Sequence, residues 1–113
     1  MSARSTRERL QDIQDCIEAI RRYTAEGRSR FDTDELVRVW CLRHIEVIGE
    51  AASKLPQEIR MRYAEVPWSA IVAMRNILIH GYDDVADDEL WSVVERDLEP
   101  LRECVERMLK ELT

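Results

Sequence analysis

The sequence predicts an all-α fold, an antiparallel four-helix bundle with one additional short helix, and three observations predict it. Apolar residues recur at spacings of three and four along most of the chain. Of the three Gly and three Pro, Gly27, Pro56, Pro67 and Gly81 fall between the periodic stretches, where they punctuate helices. The connections are short, which favours antiparallel neighbours. At 113 residues, 45% of them hydrophobic and 35% charged, the chain suits one helical domain spanning residues 1–113.

Ser5, followed three residues later by Glu8, announces the first helix through the reciprocal pairing that satisfies free amides at a helix start. Leu10, Ile13, Ile17 and Ile20 share one face of it, and Gly27 offers a left-handed stop. In "FDTDEL", Asp32 or Thr33 is expected to cap a long second helix that carries Leu36, Val39 or Trp40, Ile45, Ile48, Ala52 and Leu55 and ends near Pro56. Pro56 suits the first turn of a short helix, "PQEIRMRY", and Pro67 that of "PWSAIVAMRNILIH", which Gly81 closes. "GYDDVADD" reads as an acidic loop. From Asp87 or Asp88 the last helix carries Leu90, Val94, Leu98, Leu101, Val105, Met108 and Leu112, with a bend at Pro100 where a backbone bond is lost. Gly49, inside "IEVIGEAA", costs about 1 kcal/mol relative to Ala in a helix interior, which predicts a close approach between backbones there.

The totals exclude several classes. A net charge of -6 argues against nonspecific coating of nucleic acid, which relies on many cations to release phosphate counterions, so any RNA contact must be local. Cys16, Cys41 and Cys104 lack the pair spacing of a zinc site and read as reduced, buried thiols; neither metal nor cofactor is expected. The acidic pairs Asp83-Asp84 and Asp87-Asp88 fit a polar loop and a helix cap better than a cation site. No apolar run reaches the ~18 residues of a membrane span, and the first residues lack the apolar core of a signal peptide, so a cytoplasmic protein is expected.

One stretch carries chemistry. In "RNILIHGY", Arg75, Asn76, His80 and Tyr82 surround the apolar run Ile77-Leu78-Ile79. A helical wheel puts Ala70, Ile71, Ala73, Met74, Ile77 and Leu78 on a core arc, and Val72, Arg75, Asn76, Ile79 and His80 on the other side. Apolar residues on both sides predict a second cover, most economically a twofold copy of the chain. Near a helix end, the negative pole of the backbone dipoles favours the imidazolium form of His80, while Arg75 can fork onto phosphate oxygens and Asn76 can orient the ring. These are the groups that phosphodiester cleavage without a metal requires. From spacing alone, the simpler reading is that Arg75 pairs with a carboxylate across the bundle. His44 reads as a surface or satisfied core histidine, and Trp40, Trp68 and Trp91 as packing anchors.

Arg75, four residues, His80, one residue and Tyr82 together resemble the signature of the HepT-like HEPN family, toxins of two-gene toxin-antitoxin modules. "RHIEVIGEAASKLP", "VPWSAIVAMRNILIHGY" and "ELWSVVERDLEPL" are similar to family stretches in order and spacing. The resemblance implies a HEPN-like bundle that forms a homodimer, with Arg75 and His80 of both copies catalysing metal-independent RNA cleavage and Asn76 at the polar position after the arginine. It further implies that Tyr82 accepts AMP from an MntA-like nucleotidyltransferase antitoxin. Glu50 also matches a family position, with a hydrogen bond or ion pair to the Arg75 region as its expected role. Asp83 departs from the aromatic residue usual after the tyrosine and adds acidity beside the expected RNA path, where Arg43, Arg60 or Arg62 could supply charge. A noncatalytic subunit, presenting a ligand or docking face to a separate nucleotidyltransferase, is the alternative.

Overall fold

Ser5 opens the first helix, α1 (Thr6–Thr24), in the computed structural model, which describes residues 4–80 and 84–112, without the side chains of residues 76–80 and 84–86. The Ser5 hydroxyl accepts from the Glu8 amide at 3.1 Å, and the Glu8 carboxylate accepts from the Ser5 amide at 3.0 Å. That reciprocal cap is the one the sequence announces. Leu10, Ile13, Ile17 and Ile20 are fully buried along one side. Past the helix end Gly27 takes φ +115°, and its amide reaches the Thr24 carbonyl at 3.1 Å. This is backbone space that glycine enters without a Cβ clash.

The second long helix starts later than expected. Asp32 and Thr33 lie inside a short helix, α2 (Ser29–Thr33), whose Phe31 is buried. The cap of α3 (Glu35–Ser53) is instead Asp34, in extended conformation, its carboxylate accepting from the Leu36 amide at 3.0 Å. The inner face therefore begins at Val37 and continues through Cys41, Leu42, Ile45, Ile48 and Ala52, whereas Leu36 (78% exposed) and Val39 (48%) turn outward. Pro56 and Pro67 each precede their helices, α4 (Gln57–Arg62) and α5 (Trp68–His80), by one residue. Their carbonyls accept the opening helical bonds, from Ile59 and Arg60 and from Ile71. Gly81, the expected stop of α5, lies outside the described residues.

"GYDDVADD" is not a loop throughout, because α6 (Asp84–Ser92) begins within it. α6 runs through one π-helical turn, Val93–Asp97, into α7 (Leu98–Glu111). In that turn the Leu98 amide bonds the Val93 carbonyl, five residues back. Pro100 explains the position of the widening: it has no amide to donate, and in a regular α-ladder its ring would press on the carbonyl four residues earlier, that of Arg96. The bend expected at Pro100 is thus taken up one turn before it.

Among the described residues there is no strand, and the fold is all-α: α1, α3, α5 and the α6–α7 stretch form the bundle, with α2 and α4 as short additions, one more than expected. α1 packs along α3 and α7, and α3 along α5. The three Trp act as anchors, each indole donating to a nearby acceptor: Trp40 to the Ala19 carbonyl at 2.7 Å, Trp68 to that of Tyr63 at 3.0 Å and Trp91 to Glu95 at 2.7 Å. Cys16, Cys41 and Cys104 are free and buried, and desolvation pushes each thiol up to about 11. No helix among the described residues is long and apolar enough to cross a membrane.

Candidate active site around Arg75

Which side of α5 turns inward is decided by area. Trp68 (5% exposed) and Ile71 (4%) are buried, while Ser69, Ala70 and Ala73 are exposed. The wheel places Ala70 and Ala73 in the core and Val72 and Arg75 on the other side; the structure corrects both, because an indole and a branched aliphatic chain bury far more apolar surface than two methyl groups. Arg75, four residues after Ile71 and seven after Trp68, continues the inward side and is half-buried. Met74 and Val72 flank it and pack against the core.

A guanidinium on an inward face needs room and a partner, and α3 supplies both. Gly49 provides the room: a Cβ built there would stand 3.2 Å from the Arg75 Cβ, 3.4 Å from the Ile71 carbonyl oxygen and 3.9 Å from the Arg75 Cδ. The close approach expected from a glycine inside a helix is thus found, directly beside Arg75. Glu50 provides the partner, its Oε2 paired with the Arg75 Nη1. Lys54 Nζ lies 4.0 Å from the other carboxylate oxygen. The pair is partly open to solvent, Arg75 being 32% and Glu50 51% exposed. Among the described residues no acceptor meets the Nε or Nη2 of Arg75.

Asn76 and His80 occupy the last turns of the same helix, and their side chains lie outside the described residues, as does Tyr82. The structure therefore brings together Arg75 and Glu50 of the expected site residues. His44 is satisfied, with Nδ1 2.7 Å from the Trp40 carbonyl and its ring against the Trp40 indole. Of the cations expected to help, Arg43 is exposed near Glu46 and Arg62 lies over the Tyr63 ring. Arg60 lines a cleft of about 520 Å³ with Gln57, Met61, Pro67 and Ser69. No cluster of three or more His, Cys, Asp or Glu fit to hold a metal occurs among the described residues. Gly49 is the functional candidate that periodicity misses; the available signal was a helix-breaking residue immediately before Glu50.

The family model described as ribonuclease HepT-like matches residues 13–108, a span that contains Gly49, Glu50, Arg75, His80 and Tyr82. The chain belongs to the HepT-like family. A Thermococcus cleftensis protein named a probable ribonuclease HepT is 33% identical over 108 residues, covering 95% of this chain and 98% of that one. A longer Methanocaldococcus jannaschii protein, whose name joins gamma-glutamylcyclotransferase to a proposed RNase, is 36% identical over 104 residues. This HepT-like chain spans 47% of that protein's length, with 91% of its own residues aligned. A second protein of that organism, also named a proposed RNase, is 31% identical over 107 residues, or 94% of this chain and 98% of its own. No solved structure matches.

Proposed function

We propose that this HepT-like chain is a metal-independent endoribonuclease toxin that acts as a homodimer, with Arg75 and His80 of both copies around one RNA phosphate. The observation that carries the proposal is the match of the ribonuclease HepT-like family across residues 13–108, which includes the whole "RNILIHGY" stretch. Arg75 supplies a permanent cation for the charge that builds on the phosphorus oxygens. One His80 takes the proton from the RNA 2'-hydroxyl, the partner subunit's His80 gives a proton to the leaving oxygen, and Asn76 orients the ring or the phosphate. Arg75 stays 32% exposed beside Glu50, which leaves its guanidinium within reach of a phosphate held between two copies. Transfer of AMP to Tyr82 by an MntA-like nucleotidyltransferase antitoxin places a phosphate and a bulky base beside His80, repelling the RNA backbone.

His80→Ala is expected to lower RNA cleavage about 10²–10⁴-fold, the contribution typical of a positioned acid or base, with unchanged helical circular dichroism. The wild-type products carry cyclic phosphate ends. Undiminished cleavage by the folded variant contradicts the proposal. Coexpression with an MntA-like nucleotidyltransferase should raise the intact mass by one or more adenylyl groups on Tyr82.

The Arg75–Glu50 pair is the observation that favours a second reading, a noncatalytic ligand- or partner-binding subunit of a two-component nucleotidyltransferase. Arg75 then ties α5 to α3 and has no part in chemistry. The two differ in whether Arg75→Lys, which keeps the charge but loses the fork, abolishes RNA cleavage.

A further inference from the structure

We propose that Gly49 is a positioning residue for Arg75: the absence of a side chain there seats the arginine stem against α3, where Glu50 holds one guanidinium nitrogen and leaves the opposite edge open for a phosphate. The inference rests on the ribonuclease role proposed above for Arg75, and three features of the packing carry it. First, two of the atoms that a Cβ at residue 49 would meet most closely belong to the root of α5, the Arg75 Cβ at 3.2 Å and the Ile71 carbonyl at 3.4 Å. The carbonyl distance is ordinary contact, but the Arg75 Cβ is crowded and cannot swing away as the tip of a long side chain can, so relief requires α3 and α5 to move apart by a few tenths of an ångström. Second, Glu50 is the next residue of α3, so the helix that sets the depth of the arginine stem also sets the direction of its head.

Third, the attachment is one-sided. Glu50 engages Nη1, and among the described residues Nε and Nη2 have no acceptor. That remaining edge is one of the two planar forks by which a guanidinium binds two phosphate oxygens at once. A carboxylate on Nη1 therefore orients the arginine without occupying the fork, and the partial exposure of the side chain leaves the fork within reach of a ligand. Lys54, on the far oxygen of Glu50, steadies the carboxylate as the phosphate approaches.

The test compares full-length wild type, Gly49→Ala and Glu50→Gln by steady-state RNA cleavage and by the arginine Nε–Hε resonances of 15N-labelled protein titrated with inorganic phosphate. Arg75→Lys assigns the Arg75 signal. A shift of a few tenths of an ångström at a catalytic cation is expected to lower kcat about tenfold in Gly49→Ala. The Arg75 resonance moves in both variants and its response to phosphate weakens, while that of Arg102, held by Glu99 and Glu106, stays in place. A folded Gly49→Ala protein with wild-type kcat and an unmoved Arg75 resonance overturns the inference. Should that variant not fold, Glu50→Gln, which leaves the helix contact intact, decides by the same two readouts. Absence of RNA cleavage by the wild type overturns the ribonuclease reading instead, and the phosphate titration still decides whether Gly49 and Glu50 orient Arg75.

Discussion

Glu99 shows how far a single carboxylate can be held by its surroundings. Arg102 donates to both of its oxygens and Arg21 of α1 joins from the other side, holding its carboxyl at about 2, against an ordinary value of 4.5. A depressed carboxylate stabilises the fold above 4.5, and that contribution disappears as pH falls through about 2. Urea midpoints of wild type and Glu99→Gln are therefore expected to differ near neutrality and to converge in acid. A gap that stays constant contradicts the assignment. At this scale the sequence was legible where a feature is local: Ser5 and Glu8 lie three residues apart and cap each other whatever surrounds them. For Gly49 it announced a close approach but not the partner, which lies on a helix more than twenty residues further along. The wheel of α5 erred for a related reason. Counting Ala70 and Ala73 as equals of Ile71 ignores how unequally they reward burial.

Among the elements, the last helix tests how a proline is accommodated. Pro100 within an unbroken α-ladder would cost about 3 kcal/mol, which Pro100→Ala would return. Here the π turn at Val93–Asp97 has already shifted the ladder, and the substitution is expected to stabilise by only about 1 kcal/mol or less in urea unfolding. A gain near 3 kcal/mol would mean that the turn does not relieve the proline. Periodicity located every long helix but placed the start of α3 one or two residues early. Asp32, Thr33 and Asp34 are all acceptable caps, and the choice falls to Asp34 because burial of Phe31 holds the two before it in a helical turn of their own. The same kind of ambiguity hid α6 in "GYDDVADD", where acidic residues suit both a loop and the first turn of a helix.

For the whole molecule, the proposal depends on two copies meeting. A net charge of -6 gives RNA no general attraction, so the affinity must come from cations concentrated in one place. In the proposed dimer, two guanidinium groups and two imidazoles meeting at a twofold axis would achieve that. The most direct test is sedimentation equilibrium of the unmodified protein at micromolar concentration, with RNA cleavage assayed on the same samples. The account predicts that the wild type sediments at twice the 13.3 kDa chain mass and cleaves RNA. A wild-type protein that sediments at 13.3 kDa and still cleaves RNA would contradict it.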